Sequence, residues 1–103
     1  MKRWLIITLL LPLNTFAENY MLTLKDHQFQ PAEIRIPSGT KIKLTVDNQD
    51  ATPEEFDSHA LNREKVIAGR STATIFIGPL DPGRYPFTGE FHSATAQGTV
   101  VAQ

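Results

Sequence analysis

The sequence predicts an all-β domain, a Greek-key sandwich or barrel of roughly seven or eight short strands. Three observations lead there. From residue 19 onward apolar side chains recur with period two rather than 3.6. Clusters of Gly, Pro, Asn and Asp separate those runs. No stretch carries an amphipathic helical pattern longer than about two turns.

The first element in the chain is read as an export signal and not as part of the fold. Lys2 and Arg3 form a basic start, Trp4 to Leu13 is an apolar run, and Thr15-Phe16-Ala17 ends on a small residue. A helix over Trp4–Leu13 would rise about 15 Å, half the roughly 30 Å hydrocarbon core of a bilayer. Residues 1–17 are therefore expected to be cleaved near Ala17, leaving a domain over 18–103 in a bacterial periplasm. The cleavage takes two bases and no acid, so the net charge of −1 becomes −3.

The domain then reads as strands in order. Tyr20, Leu22 and Leu24 alternate with Met21, Thr23 and Lys25. Ile34 and Ile36 flank Arg35, and Pro37-Ser38-Gly39-Thr40 follows as a turn. Ile42, Leu44 and Val46 alternate with Lys43, Thr45 and Asp47, after which Asn48 and Asp50 are expected to make turn hydrogen bonds. Arg63–Ala68 and Thr72–Ile77 are two more strands, broken at Gly69-Arg70. The cluster Gly78 to Gly83 is a turn, and Arg84–Phe87 and Gly98–Ala102 close the sheet. Tyr85 is expected to bond a loop backbone.

Composition narrows the chemistry. With 10 Lys+Arg against 11 Asp+Glu the chain lacks the cationic surface of a nucleic-acid binder. It has no cysteine, which removes disulfides, thiolate metal sites and a blue-copper centre of the usual kind. There is no Gly-rich phosphate loop, since Ser38-Gly39 and Pro82-Gly83 are turn dipeptides. Neither a Ser-His-acid triad nor a glycosidase carboxylate pair in a cleft can be built from the pattern.

Two tripeptides stand out: Glu55-Phe56-Asp57 and Glu90-Phe91-His92. In extended chain, residues i and i+2 project to one side, so each Phe is expected to anchor in the core while its polar neighbours face outward together. Glu55, Asp57 and His59 would share a face if the strand persists that far. Neighbours on such a face are about 6–7 Å apart at the backbone, within chelating reach of one cation. Carboxylates with one or two imidazoles suit iron(II), manganese(II), zinc or copper(II). The plainer explanations are solvated strand carboxylates with Phe in the core. Glu54 reads as a solvated neighbour, Glu64 as part of a charge network with Arg63 and Lys65, and His27 as a turn residue.

From Val46 to Gln103 the chain resembles the cupredoxin superfamily. The residues that carry the resemblance are Asn48-Gln49-Asp50, Pro82-Gly83, Tyr85-Pro86-Phe87, the loop Gly89 to Ala96, and Gly98-Thr99-Val100. The segment from Phe29 through Pro31, Ile34, Ile36 and Pro37 to Gly39 resembles that family's opening strands. The resemblance places Glu55 where a type 1 copper site has its loop His, Gly89 at its cysteine and Ala96 at its methionine. Only His92 keeps a ligand-like position, so blue-copper electron transfer is not implied.

Glu55-Phe56-Asp57, Arg63-Glu64-Lys65 and the Pro82-Gly83 turn are similar to the cupredoxin-like components of bacterial high-affinity iron-uptake systems. That resemblance implies Glu55, Asp57, Glu64, Glu90 and His92 as metal ligands, iron as the metal with copper as a second candidate, and an inner-membrane iron permease and other periplasmic uptake components as partners. A carboxylate-rich site would favour Fe³⁺ over Fe²⁺ and so assist oxidation during delivery, a ferroxidase-like activity. The competing expectation is a metal-free β-sandwich acting as an adaptor. The two part on whether Glu55, Asp57, Glu64, Glu90 and His92 converge on one point; side chains on separate faces favour the adaptor.

Overall fold

The computed structural model describes residues 17–103; the export segment read over residues 1–17 lies, but for Ala17, outside them. Nine strands make two sheets. They are β1 (Glu18–Lys25), β2 (Gln28–Gln30), β3 (Glu33–Ile36), β4 (Ile42–Asn48), β5 (Glu54–Ser58), β6 (Arg63–Ile67), β7 (Ser71–Ile77), β8 (Gly83–Gly89) and β9 (Gln97–Ala102). A single 3₁₀ turn, Glu90–His92, sits between β8 and β9. One sheet has the order β2-β1-β4-β7 and the other β3-β9-β8-β5-β6. The all-β sandwich expected from the alternation is what forms, with one strand more than the count read from sequence. The addition is β2, three residues long and too short to show a period.

The alternation sets the layers. In β4, Ile42, Leu44, Val46 and Asn48 point inward and are buried, while Lys43, Thr45 and Asp47 face out. Leu22 and Leu24 of β1 and Ile75 and Ile77 of β7 complete that inner face. The opposite sheet contributes Ile34, Ile36, Phe56, Ile67, Phe87, Val100 and Ala102. Each Leu, Ile, Val or Phe among them stabilises the fold by about 1.5–3 kcal/mol relative to exposure. Phe29, Phe56 and Phe87 form one aromatic cluster, the last two stacked with centroids 4.9 Å apart and Phe29 set edge-on at 5.1 Å from Phe87. Gly98 leaves room for it, since a Cβ there would lie 2.4 Å from the Phe87 ring.

Non-sequential neighbours, β1 parallel to β4 and β3 parallel to β9, wind the chain between the sheets. Exposed Arg63, Glu64 and Lys65 guard the edge strand β6 against pairing with another chain. The network expected of these three gives way to a different arrangement. Arg63 spends its guanidinium on backbone oxygens, those of Phe76 (2.8 Å) and Asn62 (2.8 Å), and ties β6 to β7. Tyr85 donates to the Asp81 carbonyl at 2.8 Å, as expected of a structural tyrosine.

Candidate metal centre

Strand β5 obeys the same alternation as the rest. Phe56 points inward and is fully buried, so Glu54 and Ser58, two residues away on either side, point inward as well. Glu54 is 1 % exposed. A buried carboxyl group is costly unless its oxygens are paired, and these are. Oε1 accepts the backbone N–H of Phe91 (2.7 Å) and of Glu55 (3.0 Å), and Oε2 lies 2.6 Å from Nδ1 of His92. The Glu54 side chain thus joins β5 to the 3₁₀ turn, which is closed by Ala96 N–H bonding the His92 carbonyl at 2.9 Å.

Gly89 makes room for this carboxyl. Its backbone is ordinary extended chain, φ −90°, so conformation does not require glycine there. Space does: a Cβ would fall 2.7 Å from Glu54 Cδ and 2.7 Å from Ala96 Cβ.

A third group arrives from the far end of the sequence. Asp26 and His27 form the two-residue turn between β1 and β2, both with positive φ (53° and 56°), the type I′ geometry of a tight hairpin. Asp50, in the loop after β4, accepts both turn N–H groups, Asp26 on Oδ1 at 2.8 Å and His27 on Oδ2 at 3.0 Å. Its Oδ2 also lies 3.4 Å from His27 Nδ1. Burial would raise the Asp50 carboxyl, but the His27 and Asp26 N–H bonds and the charges of His27 and His92 outweigh it and hold the group below its ordinary value. Asp50 is itself placed by Asn48, which accepts the Asp50 N–H at 3.0 Å. So held, the His27 ring stacks on His92 with centroids 3.6 Å apart and planes 11° off parallel.

His27, Glu54 and His92 each present a donor atom within 4.8 Å of the others. Among the described residues this is the one group of three or more such side chains that converges. Two imidazoles and a carboxylate match the set that binds iron(II) in non-haem sites, and they also suit zinc and copper(II). They do not fit a blue-copper centre: a thiolate is absent, and the Glu54 side chain fills the space a residue-89 side chain would need.

The five residues implied by the resemblance divide. His92 is at the centre. Glu55 and Asp57 lie on the outer face of the sheet, Glu64 stands opposite Asp57 in the β5–β6 register, and Glu90 is exposed on the 3₁₀ turn. These carboxyls sense one another. Burial first, then the charges of Glu64, Asp57, Glu90 and Glu54, pushes Glu55 above its ordinary value. They do not join a common set of donors within 4.8 Å.

The expected set of Glu55, Asp57, Glu64, Glu90 and His92 therefore does not converge on one point; the inward side of β5 carries 54, 56 and 58, and it is Glu54 that reaches Phe91 and His92. The resemblance is corrected by one residue accordingly: Glu54, and not Glu55, faces Gly89 and His92. Phe91 is also corrected. It is 50 % exposed, since the 3₁₀ turn breaks the alternation that would have buried it. His59 lies past the end of β5, in the turn to β6. Period two, already used to bury Phe56, was signal enough to find Glu54. Nothing local marks His27, which is a turn residue as expected and also part of the centre.

Residues 4–102 match the family of cupredoxin-like domains. The chain belongs to that family. An uncharacterised protein of Rickettsia prowazekii (strain Madrid E) is 45% identical over 80 residues, covering 78% of this chain and 64% of the relative, so the cupredoxin-like chain spans less than two thirds of that protein. Among solved structures it is similar to auracyanin A, a "blue" copper protein of Chloroflexus aurantiacus, with TM-score 0.72 and 12% identity over 85% of this chain and 100% of that one. It is also similar to the metal-binding domain of the Streptococcus pneumoniae D39 Cu(I)-exporting ATPase CopA, with TM-score 0.70 and 15% identity, covering 82% and 84%. At such identities the likeness is one of fold.

Proposed function

We propose that this cupredoxin-like protein is an exported carrier that takes up a transition-metal cation, iron foremost and copper second, through Glu54, His92 and His27. In this reading the cation is cargo, passed to an inner-membrane permease of an iron-uptake system from a periplasmic protein. The observation that carries the proposal is the buried Glu54 carboxyl set 2.6 Å from His92, with His27 in reach of both. Exposure supports delivery over permanent retention. The His27 and His92 side chains are 42% and 30% exposed, so a cation there could leave without unfolding the domain. The hard oxygen of Glu54 supports assistance to iron oxidation, because anionic oxygen donors stabilise the more highly charged ion. The copper proteins among its structural relatives support copper as the second cargo.

Two observations favour the competing reading of a metal-free adaptor. Of the five residues that the iron-uptake resemblance implies, only His92 belongs to the converging group. Among the described residues no buried side-chain polar atom lacks a partner, so the Glu54–His92 contact is satisfied without a cation. Anaerobic titration with Fe²⁺, and separately with Cu²⁺, decides. The carrier reading predicts that Glu54→Ala and His92→Ala each abolish binding while Glu55→Gln with Asp57→Asn leaves it nearly intact. Wild-type protein that binds neither ion would make it an adaptor. Binding lost only in the outer-face double variant would move the site to that face. Oxygen uptake with Fe²⁺ tests the oxidase component.

A further inference from the structure

The geometry points to Asp50 as the positioning residue that turns a two-residue Glu54–His92 contact into a three-donor centre by holding and orienting His27. The inference rests on the carrier reading above. Asp50 lies in neither segment that meets at the centre and sits 23 residues from His27 in sequence. Even so, its one carboxylate accepts both N–H groups of the His27 turn and lies beside the imidazole.

Two consecutive non-glycine residues with positive φ are costly, because Cβ crowds the following carbonyl oxygen. The turn Asp26-His27 holds that conformation with both of its N–H groups on the two Asp50 oxygens. Gln49, the preceding residue, anchors the same loop to the end of β1 by donating to the Leu24 carbonyl at 2.8 Å. Arg70 N–H bonds the Asp50 carbonyl at 2.8 Å, and Asn48 holds the Asp50 N–H. The aspartate is therefore braced from three sides and the turn rests on it.

The imidazole is set by the same group. Asp50 Oδ2 lies 3.4 Å from His27 Nδ1, so its negative charge favours the proton on that nitrogen and leaves Nε2 for a cation, the use to which carboxylate–histidine pairs are put at metal sites. Loss of the Asp50 carboxylate would leave His27 on a turn without its two acceptors and with no preferred tautomer.

The test uses Cu²⁺ alone as probe, with Asp50→Ala, Asp50→Asn and His27→Ala as variants. Asp50→Asn keeps one acceptor oxygen and the shape of the side chain, so it stands should Asp50→Ala fail to fold. Imidazole nitrogens bound to Cu²⁺ are counted by electron paramagnetic resonance. The His27 tautomer is read in the metal-free protein by long-range proton–nitrogen spectra.

The inference predicts two imidazole nitrogens in the wild type and one in all three variants. It predicts affinity about 10–100-fold weaker in the Asp50 variants, as is usual when a ligand's supporting group is removed. No further loss is expected when Asp50→Ala is combined with His27→Ala, and the Nδ1–H tautomer should be present only with Asp50. Asp50 variants that keep two nitrogens and wild-type affinity, whatever their melting temperature, would overturn it. Wild-type protein that ignores Cu²⁺ and Fe²⁺ yet shows the Asp50-dependent tautomer would fault the carrier reading and uphold the orienting role.

Discussion

Replacing Gly89 by alanine adds one methyl group and should disable the centre. The added Cβ would stand 2.7 Å from Glu54 Cδ, 3.0 Å from Glu54 Cγ and 2.7 Å from Ala96 Cβ, where non-bonded carbons settle at about 3.5–4.0 Å. Glu54 has no solvent side to retreat to, being 1 % exposed. Relieving the clash means dragging its carboxyl off Phe91 N–H, Glu55 N–H and His92. Overpacking of a filled core costs about 1–3 kcal/mol, and losing hydrogen bonds to a charged group about 1.5–3 kcal/mol. The two overlap, because the movement that ends one begins the other, so the expected loss is about 2–4 kcal/mol. For a domain of this size that is a fall in Tm of roughly 10–25 °C.

Thermal unfolding followed by far-ultraviolet circular dichroism measures it, with Cu²⁺ titration alongside. In Glu54→Ala two of the three offending atoms are gone and Ala96 Cβ remains, so the added cost of Gly89→Ala should shrink without vanishing, and a double-mutant cycle should return a coupling of about 1 kcal/mol or more. A Gly89→Ala protein melting within about 2 °C of wild type and binding metal normally would refute the claim that Glu54 occupies this space.

Further predictions come from neighbouring groups. Asn48 is fully buried and its amide donates to the carbonyls of Thr52 (2.9 Å), Ile67 (3.3 Å) and Ala68 (3.3 Å). Asn48→Ala strands those acceptors and should cost about 2–3 kcal/mol in urea unfolding, and it should weaken metal binding by loosening Asp50. Glu55→Gln should raise Tm at pH 7. The folded-state value of Glu55 lies above its unfolded value, so the native state binds the proton more tightly and its charge opposes folding once pH exceeds that raised value. The gain should therefore vanish as pH falls below the unfolded value of about 4.3. A gain that persists at acid pH would point to a cause other than charge. Metal affinity should change little in Glu55→Gln, because its carboxyl lies outside the converging set.

Alternation carried most of the fold. Ile42 to Asn48 bury every second residue, and Ser71 to Ile77 alternate likewise, with Ser71 and Ala73 half-buried and Ile75 and Ile77 buried, since one face of each strand must meet the opposite sheet. It failed where the chain leaves the strand: Phe91 lies outside because Glu90–His92 is a 3₁₀ turn, whose side chains do not alternate. The centre was half legible. His92 and the meeting of two distant segments could be read from motifs, and Glu54 follows from the same period that buries Phe56. A carboxyl group on an inward position argues against its own burial on propensity alone, and only its three partners reverse that cost. His27 could not be read locally. Its place depends on where a hairpin turn falls relative to a loop 23 residues on, which is a property of the packed sheets rather than of Lys25-Asp26-His27-Gln28.

X-ray absorption at the metal edge of protein loaded with one equivalent of Fe²⁺ or Cu²⁺ tests the central claim most directly, because it separates the inner centre from the carboxylates outside. Binding by His27, Glu54 and His92 predicts a shell of nitrogen and oxygen with the outer-shell scattering of two imidazoles, reduced to one by His27→Ala. A shell of oxygen alone, with no imidazole scattering, would put the cation on Glu55, Asp57, Glu64 and Glu90 and contradict the account.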